Sequence, residues 1–248
     1  MREHIQNIAV IAAKETASFF NSLIAYVVMT VYLLGVGLFL WVFPGNVLET
    51  GFAEMNTLFN MGPWLFLFLI PAITMRSFSE EFKTGTIELL STKPVTNLQI
   101  ILGKYTAAVF LVKFTLIPTI IFVISLSVIS EQTWSLDYGA IIGSYVGLVG
   151  LGATFAAIGL FCSSITDNQI IAFIVSVFVC FFAYAGFDYI ADMEFLTAVN
   201  GEVLNIGLIE HYRSVSRGVL DTRDLLYFLT AITIFILVTY YTLLNKKK

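Results

Sequence analysis

Long apolar runs alternate with short polar interruptions along this chain, and the interruptions carry nearly all of its charge. A bilayer core near 30 Å needs about 20 apolar helical residues per crossing. Six runs qualify, with expected limits 22–43, 57–75, 98–129, 138–162, 168–190 and 224–244. They are too long and continuous for barrel strands, which would be about 10 residues and alternate. The third run is long enough to protrude from the bilayer on one side. Pro118 inside it predicts a kink, since proline removes one backbone donor.

The polar stretches predict further elements. Ile5, Ile8, Ala9 and Ala12 recur at helical spacing, with Arg2, Gln6, Asn7 and Lys14 between them. That pattern fits a helix lying on the inner leaflet, with a frayed polar tail as the alternative. The 76–97 connection reads as helix, turn, helix. Arg76 and Glu80 stand four apart and can pair on one helical face. Gly85 and Glu88 have capping-box spacing, with glycine the weaker cap, and would open a short helix over 86–92. Pro94 ends it, and Thr96 with Gln99 forms a second capping box that opens span three. Ile87, Leu89 and Leu90 beside Glu88 could lie in a groove on a partner or rest on lipid headgroups.

Composition agrees with the pattern. Of 248 residues, 58% are hydrophobic and 12% are charged, with mean hydropathy +0.89. Soluble domains carry about 25% charge, so a soluble domain is excluded. The first run reads as a retained anchor rather than a cleaved signal. Lys and Arg set the orientation. Arg2, Lys14, Arg76, Lys83, Lys93, Lys104 and Lys246–Lys248 fall on one side, so both termini and the 76–97 connection are expected to be cytoplasmic. The exception is 191–223, expected outside yet holding Arg213, Arg217 and Arg223, offset by seven acids around them. Cys162 and Cys180 lie in or beside apolar runs and read as small buried residues.

A few residues could carry chemistry. Gly139, Gly143 and Gly147 sit four apart, a spacing that lets helices approach closely; helix packing is the simpler reading, a pathway or dimer surface the other. Lys113 lies about 13 Å beyond Lys104 along the helix. It could face an anionic substrate or a dimer interface, or snorkel to the inner surface. Asp188 reads as interfacial. His211 beside Glu210 reads as a surface histidine, with a metal or proton site the less favoured alternative. Asp221 and Asp224 have cap spacing for the last span. Neither His4 nor His211 lies in a span, which disfavours an intramembrane enzyme, and no metal site is expected. The chain has no G-x-x-x-x-G-K-[ST] phosphate loop.

Three stretches together resemble a known family. The Arg-x-x-x-Glu-Glu-x-x-x-Gly-Thr-Ile-Glu-Leu-Leu-x-x-x-Pro-Val pattern at 76–95 looks like the first cytoplasmic loop of type 2 ABC exporter permeases. The segments 14–28 and 210–224 resemble that family's start of span one and its approach to the last span, within its gliding-motility branch most closely. Leu23 departs from the pattern, which has proline there, and bears on the entry angle of span one. The resemblance implies an all-α integral membrane protein in one domain over 1–248: six spans, an N-terminal interfacial helix, a cytoplasmic coupling helix between spans two and three, and short outer-leaflet helices before the last span. It implies a bacterial inner-membrane permease subunit that is not itself an enzyme and binds no cofactor or nucleic acid. Partners would be cytoplasmic P-loop ATPase subunits, which hold ATP and Mg, and a second permease subunit, identical or related. It carries a coupling role onto Glu80, Glu81, Gly85, Thr86, Glu88, Leu89 and Leu90. Two other readings remain: an ATP-independent transporter or channel, and an ABC complex doing mechanical work on envelope proteins.

Overall fold

The structure, a computed structural model, describes residues 2–51, 54–86, 95–130, 136–191, 193, 200–219 and 221–246. Among these the chain is helical, with no strand. In order come α1 (Arg2–Asn21), α2 (Leu23–Trp41), α3 (Val47–Thr50), α4 (Asn56–Thr74) and α5 (Arg76–Thr84). Then follow α6 (Asn97–Leu116), a 3-10 turn (Ile117–Thr119), α7 (Ile120–Ile129), α8 (Tyr138–Ile165) and α9 (Gln169–Phe181). A π turn (Phe182–Gly186), α10 (Phe187–Ala191), α11 (Asn200–Leu204), α12 (Leu208–Ser216) and α13 (Thr222–Lys246) complete the chain. Six helical stretches are long and apolar enough to cross a membrane: α2, α4 continued by α5, α6 continued by α7, α8, α9 continued by α10, and α13. The protein is a multi-pass membrane protein. We call the end holding α1 and the last turn of α13 the near end.

The bundle is organised around α8. Of its most apolar window 78% is buried, against 17% for α13. Lipid gives helices no hydrophobic reason to associate, so close backbone approach through small residues decides the packing. The glycines of α8 receive different neighbours on different sides. Gly143 lies against the Val215 carbonyl and Gly218, and Gly147 against the Tyr212 ring. Gly150 meets Phe228 of α13, Gly152 meets Val112 of α6 and Ile70 of α4, and Gly159 meets Thr74 of α4. Gly139 packs through its backbone, which lies beside Gly218, while a Cβ on Gly139 itself would approach only its own cap residue, Asp137.

Two prolines shape the spans. Pro118 deprives the Phe114 carbonyl of its helical donor, and the third span breaks there into the 3-10 turn. Thr119 Oγ1 then bonds the Leu116 carbonyl at 2.6 Å and Tyr145 Oη at 2.8 Å. Pro63 in α4 likewise frees the carbonyl of Phe59. That carbonyl accepts a 2.7 Å hydrogen bond from Tyr212 Oη, which docks α12 onto α4 at the far end.

The N-terminal helix splits the apolar set that its spacing picks out, part of it packing on the protein and part facing outward. Ile5 is 62% exposed and Ala9 is exposed, whereas Ile8, Ile11, Ala12 and Glu15 face the protein. The reason is Gly103 of α6: a Cβ there would lie 2.5 Å from Ile11 Cγ2, so the absent side chain is the slot that α1 occupies.

Candidate functional site

At the near end, α5 is fastened to α8 by one hydroxyl. The first N–H groups of a helix have no partner within it. Here the Phe78 and Ser79 N–H groups donate to Ser163 Oγ at 3.0 and 3.1 Å, and the Ser163 hydroxyl donates to the Met75 carbonyl at 3.0 Å. One donor and two acceptor positions are thereby all used. Phe78 is buried completely beneath this cap.

Lys104 of α6 completes the cluster. Its side chain is 3% exposed, and its Nζ lies 2.7 Å from Glu81 Oε1 of α5 and 3.1 Å from Glu15 Oε1 of α1. The Phe78 ring lies beneath it, 5.3 Å to the centroid. One buried cation thus joins three helices. Removing one partner of such a pair strands the other charge and costs about 3–5 kcal/mol. Glu80 and Glu81 are neighbours with opposite placements. Glu81 turns inward, while Glu80 pairs with Arg76 at 3.4 Å, both half exposed. A cleft of about 480 Å³ opens beside the cluster, lined by Lys14, Glu15, Arg76, Glu80, Glu81 and Lys104 among others. The last turn of α13 reaches α5 too: Lys246 Nζ bonds Asp167 Oδ1 at 3.0 Å and stands 3.8 Å over the Phe82 ring.

Gly85 closes α5 instead of capping the next helix. Its φ of +71° is left-handed, and its N–H donates to the Phe82 carbonyl; a residue capping a helix start has extended geometry. Only glycine adopts this conformation without strain. Thr86 is exposed and its hydroxyl meets that of Thr84 at 3.0 Å. Glu88, Leu89 and Leu90 lie outside the described residues, as does most of the helix expected over 86–92. The Thr96–Gln99 capping box is present in full at the start of α6.

Lys113 is not brought to this cluster. It is exposed on the outside of α6, without an ion pair among the described residues, on the helix that also exposes Phe110 and Phe114. Asp188, His211 and Asp224 lie at the far end, where Asp188 pairs with Arg213 at 3.2 Å. Asp221 accepts from the Arg223 N–H at 2.9 Å, but the Asp224 carboxylate turns to His211 and does not complete a capping box. Among the described residues no group of three or more His, Cys, Asp or Glu could hold a metal ion.

Sequence reasoning did not find Ser163 or the roles of Lys104 and Glu15. A serine among apolar residues at the end of a span carries no distinguishing mark. Lys104 does give a weak signal: it lies inside the third apolar run, the eighth residue of α6, where a cation needs a partner.

These features define a multi-pass helical membrane protein with a charged, buried junction at one end of its spans. A family model described as ABC-2 family transporter protein matches residues 49–205, more than half of the chain, and the chain belongs to that family. It is an ABC exporter permease subunit. No curated protein matches it. The match runs from the end of α3 through α11, so Glu15, His211 and Asp224 lie outside it.

Proposed function

We propose that the chain couples ATP hydrolysis by separate cytoplasmic P-loop ATPase subunits to substrate movement across a bacterial inner membrane, paired with a second permease subunit. In this reading the near end is cytoplasmic, ATP and Mg²⁺ belong to the ATPases, and the segment from Gly85 to Leu90 is the docking element. The observation that carries it is the Lys104 junction. A force applied beyond Gly85 enters α5 and passes through Glu81 and Lys104 to α6 and α1, and through Ser163 to α8. Such an arrangement moves several spans together. Assignment to gliding motility belongs to this proposal and rests on the 76–95 pattern and its two companion stretches.

The test is a mild-detergent purification of the tagged chain from native membranes, with all companions identified by mass. A stoichiometric P-loop ATPase supports coupling, and the presence or absence of a second multispan chain separates heterodimer from homodimer. An oligomer of this chain alone, from membranes where a control complex survives extraction, overturns it. Glu88→Lys should reduce ATPase recovery at least several-fold while leaving the chain inserted; unchanged recovery removes Glu88 from the docking role.

A further inference from the structure

At the far end, His211 is held by three contacts, two to α13 and one to the residue that follows α11. Its Nδ1 lies 2.7 Å from Asp224 Oδ1 at the head of α13. Its Nε2 lies 2.9 Å from the Asn205 carbonyl, just beyond α11. Its ring stacks on Tyr227 of α13, with centroids 3.8 Å apart and planes 19° apart. The Tyr227 hydroxyl in turn donates to the Ile206 carbonyl. Both ring nitrogens therefore face oxygen acceptors. A neutral imidazole has one N–H and one lone pair, so it satisfies one of these contacts and opposes a lone pair to the other. Only the imidazolium donates to both, and a cation also gains from the Tyr227 face.

We propose that His211, Asp224 and the Asn205 carbonyl form a proton-binding latch. With the ring protonated, two charge-assisted bonds tie the 200–206 segment and α12 to the head of the last span. Loss of one ring proton releases one of them. The surrounding charges leave Asp224 as the carboxylate facing the ring. Arg213 on the same helix is drawn to Asp188 of α10 and Glu210 of α12, at 3.2 and 3.1 Å. Asp221 caps the α13 backbone, Arg217 and Arg223 are exposed, and Tyr212 points away to Phe59. Asp224 is 6% exposed, and its Oδ2 is buried without a partner. It is thus a desolvated carboxylate whose hydrogen bonding among the described residues goes to the histidine. Since α12 also occupies the Gly143 and Gly147 slots of α8, the latch sets how firmly this far-end layer follows the last span. The inference does not depend on how the near end is driven.

The test is backbone hydrogen exchange of the full chain in lipid nanodiscs. It compares about pH 5.5 with about pH 8, either side of the ordinary histidine range, after correction for intrinsic rates. The latch is complete when the ring is protonated and weakens as pH rises. Protection over 200–219 should therefore fall by about tenfold towards high pH, the scale of one charge-assisted hydrogen bond. His211→Gln and Asp224→Asn should each lose protection at low pH and abolish the extra pH dependence. The same pH dependence in wild type and His211→Gln overturns the proposal. If the variants do not fold, ¹⁵N-histidine spectra of the wild type decide. The chain has only two histidines, and His4→Gln identifies the other signal. Two protonated ring nitrogens at low pH, one lost in step with protection, support the latch. A bare ring nitrogen at about pH 5.5 overturns it.

Discussion

The two ends of the bundle solve the same problem with different chemistry. Each hangs a short amphipathic helix on α8: α5 at the near end and α12 at the far end. The near attachment uses a cation with a 3% exposed side chain between two carboxylates, plus a serine that consumes the first donors of α5. The far attachment uses glycine slots, a phenol donating to a carbonyl that proline left free, and a histidine bond. Its arginine pairs, Arg213 with Asp188 and with Glu210, are 55% exposed on the arginine side, where ion pairs contribute little. The difference teaches that charge burial, not charge count, separates a rigid joint from an adjustable one. Within the Lys104 cluster the three charges are desolvated, so none of them can be removed cheaply. At the far end, packing and polar contacts are separable.

The strongest challenge to this comparison is Lys104→Met. It strands Glu15 and Glu81 and should cost about 3–5 kcal/mol, read as a large fall in thermal midpoint in nanodiscs. The triple variant Lys104→Met, Glu15→Gln, Glu81→Gln should recover much of that loss; if it does not, the cluster stabilises by more than charge pairing.

Gly143→Ala follows. The added methyl would press on the Val215 carbonyl and Gly218, both backbone, and should cost about 1–3 kcal/mol. Gly139→Ala, with only its own cap nearby, should be neutral or slightly stabilising. Equal losses at the two positions would contradict the placement of α12 on α8.

Tyr212→Phe should cost about 1–2 kcal/mol, because the Phe59 carbonyl is left buried without a donor. Pro63→Ala restores a helical donor to that same carbonyl, so the loss should shrink in the Pro63→Ala background. A double-mutant cycle measures this coupling, and additive effects would break the link between the proline and the phenol. The smallest effect is expected from Arg76→Ala: the exposed Arg76–Glu80 pair should contribute no more than about 0.5 kcal/mol.

Much of the architecture was legible because bilayer thickness imposes it. The third run, expected at 98–129, is helical over 97–129 with its break at Pro118, and the fifth, expected at 168–190, covers 169–191. The Thr96–Gln99 box was readable because its partners are three residues apart. The inward face of α1 was not. Apolar residues at 5, 8, 9, 10, 11, 12 and 13 run nearly all round that helix, so periodicity selects no unique face. Gly85 was misread for a related reason. Its spacing to Glu88 suited a helix start, but a glycine's conformational freedom suits a helix end equally well. His211 could be placed near the last span, yet nothing local marked Asp224 as its partner rather than part of a cap.

The sequence by itself determined how many spans there are, where along the chain they lie, which proline breaks one of them, and how α6 is capped. These follow from interactions within one turn of helix, or from the length a membrane requires. Only the tertiary structure decided which charges meet. Lys104 is 23 residues from Glu81 and 89 from Glu15, and Ser163 is 85 from the backbone it caps. Those meetings depend on how closely each helix approaches its neighbours, and that is set by the glycines of α6 and α8 acting on several elements at once.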